Sequence, residues 1–398
     1  MMSGRRVLLV LGMHRSGTSA FTAGLGALGV DLGQKLLGPA ADNEKGFFEH
    51  LPAYKLNEEL LASFHRDWSS IGDFNIADHP RFEVFLGQAI RMILRDFPAS
   101  QVFALKDPRI SRLLPFWREV FRRLDINVIP ILVLRQPMAV AKSLATRERF
   151  SITRSLIMWA RHSLGVLENF DEIPLIVNYE RLVDKPEECL WAIRQQFNLK
   201  CGAGQVGAFG TSADEATALG SAAHAEGADL GDEVKCRERI KQFATEFIDP
   251  DLQHAKVRMS AAIPAGDNSR LRKGCSDLFE ELTKYHLQSV KSRTFNSAVS
   301  PIRELLRDQE DFLSEVDSLK IEADSLKSDS LRVAKAALIA QVDVLQDRVR
   351  HLEDVIHTHQ KENTRTLFRS ARLAHQFIDR HHSLKHFFAA ILSVVRYF

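Results

Sequence analysis

The 398-residue chain has no apolar run approaching the roughly 18 residues that a membrane-spanning helix needs. It has four cysteines, Cys189, Cys201, Cys236 and Cys275, with no C-x-x-C pair and no histidine at a zinc-binding interval. No metal site is legible, and the expectation is reduced, structural thiols in a cytosolic protein. Charge of either sign is not in excess: 53 Lys and Arg against 51 Asp and Glu leave a net +2. The global charge therefore gives no case for nucleic acid, and any preference for anions must be local. A secretory leader is not convincing either. Arg5-Arg6 precede an apolar run, but Gly12 and His14-Arg15 interrupt it before any cleavage site, so a buried first strand is the better reading. Hydrophobic content of 45% and charge of 26% are those of an ordinary globular protein.

One more absence is the most telling. The apolar run Val7–Leu11 breaks into Gly12-Met13-His14-Arg15-Ser16-Gly17-Thr18-Ser19, and Ala20–Leu28 then has helical composition. A strand feeding a glycine-rich turn and a helix aims backbone N–H groups at one point, where an anion is favoured. A nucleotide-binding loop of the form G-x-x-x-x-G-K-[ST] would place lysine after Gly17. Thr18 stands there instead, and the cation lies inside the loop at Arg15. The shape is a phosphate cradle; the missing lysine argues against ordinary ATP or GTP hydrolysis.

Strand candidates Val7–Leu11, Val102–Leu105, Val128–Leu134 and Leu175–Asn178 alternate with helical segments. The helices are expected at Tyr54–Phe64, Arg81–Asp96, Pro115–Leu124, Met138–Arg147, Ser155–Leu167 and Pro186–Phe197. Near-continuous apolar strands between helices predict an α/β, three-layer, P-loop-like fold around a central parallel sheet. The first domain is expected over 1–290, with a flexible Gly-, Ala- and Ser-rich insertion at 200–235 and a helix at Lys235–Phe247.

From about residue 302 glycine and proline disappear. Leu305, Phe312, Val316, Leu319, Ala323, Leu326 and Val333, with Gln309 and Ser330 as polar entries, fall on alternating steps of three and four; Leu338, Val342, Leu345, Val349, Leu352 and Ile356 resume the rhythm after a phase shift. This predicts an α-helical coiled coil with a stutter over 301–362 and a homo-oligomer built through it. Residues 363–398 mix Arg365, Arg369, Arg372 and Lys385 with Phe368, Phe377, Phe387 and Phe388. A basic amphipathic helix of this kind suits peripheral contact with the inner face of a membrane, or a cover over apolar surface.

A second anion site is suggested where Val128–Leu134 runs into Arg135-Gln136-Pro137. Ser143 and Arg147, four residues apart, share one face of the following helix. Each alone reads as a surface residue. Together with the first loop, their order and spacing resemble the sulfotransferases that use 3′-phosphoadenosine-5′-phosphosulfate (PAPS). Gly12–Ser19 is similar to the 5′-phosphosulfate loop of tyrosylprotein sulfotransferases and bacterial relatives. Lys106-Asp107-Pro108-Arg109 resembles their Lys-Asp-Pro motif, and Tyr179-Glu180-Arg181-Leu182 a later Tyr-Glu segment. The resemblance covers about residues 5–200.

It implies that Arg15, Ser16, Gly17, Thr18 and Ser19 hold the 5′-phosphate, and that Arg135, Ser143, Arg147 and Tyr179 hold the 3′-phosphate. Lys106 is then the cation on the transferred group, and Glu49 the general base toward a hydroxyl acceptor; Asp42, Glu44 and His50 are rivals for that role. Asp107 and Arg109 would shape the site. By analogy with bacterial relatives the acceptor is a carbohydrate or glycolipid precursor. The donor is PAPS, with no metal, and the location cytoplasmic. The alternatives are a nucleotide kinase with a degenerate loop, or a non-enzymatic nucleotide-binding head on a coiled-coil scaffold.

Overall fold

The structure, a computed structural model, describes residues 4–40, 43, 45–72, 75–170, 174–200, 229–248, 269–288, 299–304 and 306–307. Four strands form one sheet: β1 (Arg6–Leu11), β2 (Val102–Lys106), β3 (Asn127–Leu134) and β4 (Leu175–Asn178). The order is β2-β1-β3-β4, and every pair is parallel. All four lie where the apolar runs put them, each within a residue at either end. Between and after them come α1 (Thr18–Ala27), α2 (Leu51–Ala62), α3 (Phe82–Asp96), α4 (Leu114–Arg123), α5 (Pro137–Glu148) and α6 (Ile152–Glu168). The short α7 (Tyr179–Asp184), then α8 (Pro186–Phe197), α9 (Asp229–Glu246) and α10 (Ser269–Thr283) follow.

Both faces of the sheet are covered, which is why its strands are apolar throughout. Leu8, Val10, Ile131, Val133 and Val177 join one buried cluster with Phe21 of α1, Leu190 of α8 and Phe243 of α9. Their neighbours on the strands alternate to the other face. There Phe103 lies 4.5 Å from the Phe97 ring and 6.4 Å from Phe121 of α4. The α/β, three-layer reading with a central parallel sheet therefore stands.

Two expectations need correction. Residues 229–235, read as the end of a flexible insertion, are the first turns of α9; Cys236, Ile240 and Phe243 bury one side of this helix against α1 and α8, so tertiary packing overrides weak local periodicity. Cys236 is also disulfide-bonded, not a free thiol, with its partner outside the described residues; Cys189 and Cys275 are free and buried. The chain divides into two compact units, 1–261 with 270–317, and 262–269 with 318–398. Within the first unit Val299, Ile302 and Leu306 are buried, and Arg303 pairs with Glu168 at 2.8 Å. The rest of the coiled-coil segment and the basic tail lie outside the described residues, as do Asp42, Glu44 and Cys201. Among the described residues no helix is long and apolar enough to cross a membrane.

Candidate active site

The chain leaves β1, crosses to β2 on one side, and returns to β3 on the other. In open α/β sheets that reversal leaves a crevice outside the carboxyl ends of the strands, where ligands sit. The register brings three segments to this edge. Lys106, the last residue of β2, pairs with Val10; Gly12 follows Leu11 of β1; Arg135 follows Leu134 of β3, which pairs with Asn178, and Tyr179 comes next.

The loop after β1 is a tight cradle. Arg15 has φ +68 and Gly17 φ +86, both left-handed. Glycine is required at 17: a Cβ there would stand 2.0 Å from Cδ2 of Tyr179. Gly17 caps α1 without a side-chain hydrogen bond, and no acidic residue occupies the first turn. The amides at the start of the helix therefore have no internal carbonyl and carry the positive end of the helix dipole. The Gly12 amide is tied back to Ser111 Oγ at 3.0 Å. Ser16 is buried and its Oγ has no hydrogen-bond partner. Thr18 is buried as well, while Ser19 faces the crevice.

Lys106 is almost fully enclosed and donates to Ser19 Oγ at 3.1 Å, the Phe47 carbonyl at 3.0 Å and Glu49 Oε1 at 2.8 Å. Burial raises the Glu49 pKa, opposed by Lys106. Behind them Arg109 lies 3.7 Å from Glu49 Oε2, pairs with Glu58, and meets Asp107 Oδ1 at 3.0 Å. Burial works against the Arg109 charge, but Asp107, Glu58 and Glu49 outweigh it and hold its pKa above the usual value. Asp107 also accepts from Asn57 Nδ2 at 2.9 Å, and Asn57 Oδ1 accepts from Trp117 Nε1 at 2.9 Å. Every member of this buried polar wall has a partner, so it can hold Lys106 in one place. His50, a rival base, turns away from the crevice to Asp96 at 3.2 Å.

The residues expected to form a second anion site meet those of the first loop directly. Arg15 Nε donates to Ser143 Oγ at 2.9 Å, and Arg135 Nη1 donates to the Arg15 carbonyl at 3.1 Å. The Arg135 guanidinium rests on the Tyr179 ring, 4.9 Å from its centroid, while its carbonyl accepts from Trp159 Nε1 at 3.1 Å. Gln136 caps α5 by accepting from Ala139 N, which fixes the turn that aims this helix. Arg147, one turn beyond Ser143, pairs with Glu148.

These groups enclose a cavity of about 380 Å³. Arg15, Gly17, Thr18, Ser19, Glu49, Lys106, Arg135, Arg147 and Tyr179 all line it. Of the residues expected at the site, Ser143 joins through its bond to Arg15, and Ser16 lies enclosed within the loop. The structure also contributes residues that the sequence did not single out. Lys45 donates to the Phe247 carbonyl at 2.6 Å, and the Phe48 and Phe247 rings meet edge-on at 5.6 Å, so the end of α9 closes over the 45–49 segment. His14, from the loop itself, also lines the cavity. Nothing in the spacing of Phe247 marks it; the loop position of His14 was visible, but a lone histidine has no pattern to distinguish it.

Among the described residues no group of three or more His, Cys, Asp or Glu side chains is placed to hold a metal ion. No family model matches the chain, and no curated protein matches it. Among solved structures it is similar to the sulfotransferase domain of the Synechococcus PCC 7002 olefin synthase, at 15% identity over 61% of this chain and 96% of that one, with a TM-score of 0.30. It is also similar to the sulfotransferase domain of the curacin biosynthetic pathway, at 14% identity over 66% of this chain and 100% of that one, with a TM-score of 0.33. Likenesses at this level say nothing about the chemistry of the crevice.

Proposed function

We propose that this chain is a sulfotransferase that moves a sulfuryl group from PAPS to a hydroxyl acceptor. The observation that carries the reading is the direct junction of two anion sites in one cavity: Arg15 of the β1 loop bonded to Ser143, with Arg135 of the β3 end bonded to the Arg15 carbonyl. Two such sites within one side chain of each other suit two phosphates of a single small molecule. The open amides of α1 and the enclosed, partnerless Ser16 hydroxyl suit a terminal oxyanion. A nucleoside triphosphate is the weaker fit, because no lysine follows Gly17, and Asp107, the carboxylate directly after β2, is engaged by Asn57 and Arg109.

In this reading Arg15 and the loop amides hold the 5′-phosphate, and Arg135, Ser143, Arg147 and Tyr179 hold the 3′-phosphate. Lys106 neutralises charge on the bridging oxygen. Transfer of this kind needs mainly positioning and charge stabilisation, because charge spreads over the peripheral oxygens in an in-line displacement. Glu49 holds Lys106 at the cavity wall; to take an acceptor proton as the sequence suggests, it must first loosen that bond. A carbohydrate or glycolipid acceptor, a coiled-coil homo-oligomer, a cytoplasmic location and membrane contact through 363–398 belong to the same proposal and rest on sequence pattern and resemblance.

Thermal denaturation tests it. 3′-Phosphoadenosine-5′-phosphate at a hundred times its Kd should stabilise the protein by about 2.7 kcal/mol without Mg²⁺, and ADP far less. Arg135→Ala should remove that preference. Equal stabilisation by ADP and by the bisphosphate would refute the reading.

A further inference from the structure

We propose that a second cavity, lined by Arg112, Arg161, Arg303 and Arg307, binds a small organic molecule that carries two or more phosphate or sulfate groups. This site is independent of the sulfuryl-transfer reading. Among the described residues, none lines both this cavity and the one at the strand ends.

The cavity measures about 470 Å³, against about 380 Å³ for the first, and is of the size that small molecules occupy. Three parts of the chain wall it. Arg112 and Pro115 come from the entry to α4, Arg161, Leu164 and Glu168 from α6, and Arg303, Leu306 and Arg307 from the stretch that follows residue 299. The wall is set by the core beneath it. Leu164, Ile302 and Leu306 are buried, and Arg303 Nε and Nη2 donate to Glu168 Oε1 at 3.0 and 2.8 Å. Arg112 Nη2 donates to the Gly72 carbonyl at 2.9 Å. Ser111, also on the wall, accepts from the Gly12 amide at 3.0 Å, so the cavity adjoins the start of the β1 loop.

The charge of this wall is lopsided. Among the described residues that line it, four guanidiniums stand with one carboxylate, Glu168, and that carboxylate is engaged by Arg303. The Gly72 carbonyl orients Arg112 but is neutral and does not cancel its charge. No acidic residue stands in the first turn of α4, whose Pro115 lines the space. Cations gathered around one cavity raise the potential inside it and favour an anion there. Arg112 and Arg161 are half-buried, so water and salt screen them less than they screen exposed charges. Their field reaches the interior: after burial itself, Arg112 and then Arg109 and Arg161 hold the buried His162 down to about 3. A guanidinium presents a planar fork that matches the oxygens of phosphate and sulfate. Four forks from three parts of the chain suit more than one such group. Pro115, Leu164 and Leu306 line the same space, so the body that joins the groups is carbon.

The test is isothermal titration of the full chain with 1,6-hexanediol bisphosphate, the bis-sulfate of the same diol, and inorganic pyrophosphate. At least one of the two diol esters should bind with a Kd below about 1 mM at low salt, more weakly as salt is added, and more tightly than pyrophosphate. Whichever ester binds better identifies the group the arginines select. Arg307→Ala should weaken that ester by about threefold or more, and Glu168→Gln should tighten it by a similar factor. Both positions are exposed, so neither change threatens the fold, and a gain of affinity in Glu168→Gln cannot come from unfolding. Arg135→Ala, in the other cavity, should leave the affinity within about twofold. Failure of both esters to bind overturns the site. So does binding that is lost in Arg135→Ala while Arg307→Ala and Glu168→Gln leave it unchanged, because the ester then occupies the strand-end cavity. Pyrophosphate binding as tightly as the better ester overturns the assignment to an organic ligand. None of these results bears on the sulfuryl-transfer reading, which the adenosine bisphosphate tests separately.

Discussion

In a Gly17→Ala variant the new methyl would be built 2.0 Å from Cδ2 and 2.5 Å from Cε2 of Tyr179, on a residue whose φ is +86. Two separable costs follow. A left-handed backbone costs an L-residue about 1–2 kcal/mol. Displacing the ring costs a further ~1–3 kcal/mol, the usual range for overpacking. The ring cannot yield freely, because Arg135 rests on its face at 4.9 Å and Tyr179 is buried. The variant should therefore be destabilised by about 2–5 kcal/mol, seen as a lower urea midpoint at unchanged slope. In a Tyr179→Ala background the same substitution should cost only the backbone part, about 1–2 kcal/mol. The double-mutant cycle should then return a coupling of about 1–3 kcal/mol between positions 17 and 179. The bisphosphate should bind far more weakly to Gly17→Ala, because the loop amides move with the clash. A cost that is the same in both backgrounds would refute the packing of Tyr179 on the loop, and with it the joining of β4 to the site.

Other perturbations probe the wall and the core. Lys106→Met leaves Glu49 buried with only Arg109 at 3.7 Å, so it should cost about 3 kcal/mol, with part recovered in Lys106→Met/Glu49→Gln; a cost below about 1 kcal/mol in chemical denaturation would contradict the buried pair. Burial pushes His162 down to about 3 and His50 down to about 4, the latter against the pull of Asp96. Both rings are neutral in the folded chain but take up protons near pH 6.5 when unfolded, so stability should be flat above that pH and fall below it by about 1.4 kcal/mol per unit for each histidine. His162→Gln should reduce that slope between pH 6 and 4; an unchanged slope would remove His162 from the account. A chain ending at 317, the end of the first compact unit, should form a smaller oligomer by light scattering, and an unchanged assembly would contradict the coiled coil.

The strands were legible because a sheet covered on both faces leaves no polar position to break the run: Val7, Leu8, Leu9, Val10 and Leu11 are all fully buried. The cations at the strand ends were legible for the same reason, since Arg15, Lys106 and Arg135 each follow the point where an apolar run stops. What escaped depends on contacts distant in sequence. The six-residue α7 is too short to show a period and is set by the Asn178 side chain accepting from Arg181 N at 2.8 Å. Phe247 reaches the site only because α9 packs on α1 and α8. Ser16 and Ser19 look alike in the motif, yet the turn encloses the first and exposes the second to the cavity. Local spacing identifies a loop, whereas the direction of each side chain depends on φ values such as the +68 at Arg15.

The bond between Arg15 and Ser143 bears on why one ligand, and not two independent anions, is the better occupant. A guanidinium beside Arg135 and Arg147 is repelled by both unless something holds it. Here its Nε is held by the Ser143 hydroxyl, and its own carbonyl accepts from Arg135. The loop after β1 and the end of β3 are thus braced against each other by the protein's own hydrogen bonds. An anion at one site therefore meets a partner site whose geometry is already set, and a molecule carrying both anions does not spend binding energy on bringing the sites together. Ser143→Ala would remove the brace while leaving all three arginines and their charge. If the brace matters, this variant should bind the bisphosphate more weakly but bind inorganic phosphate as the parent does. Equal weakening for both would mean that Ser143 is a phosphate contact and nothing more.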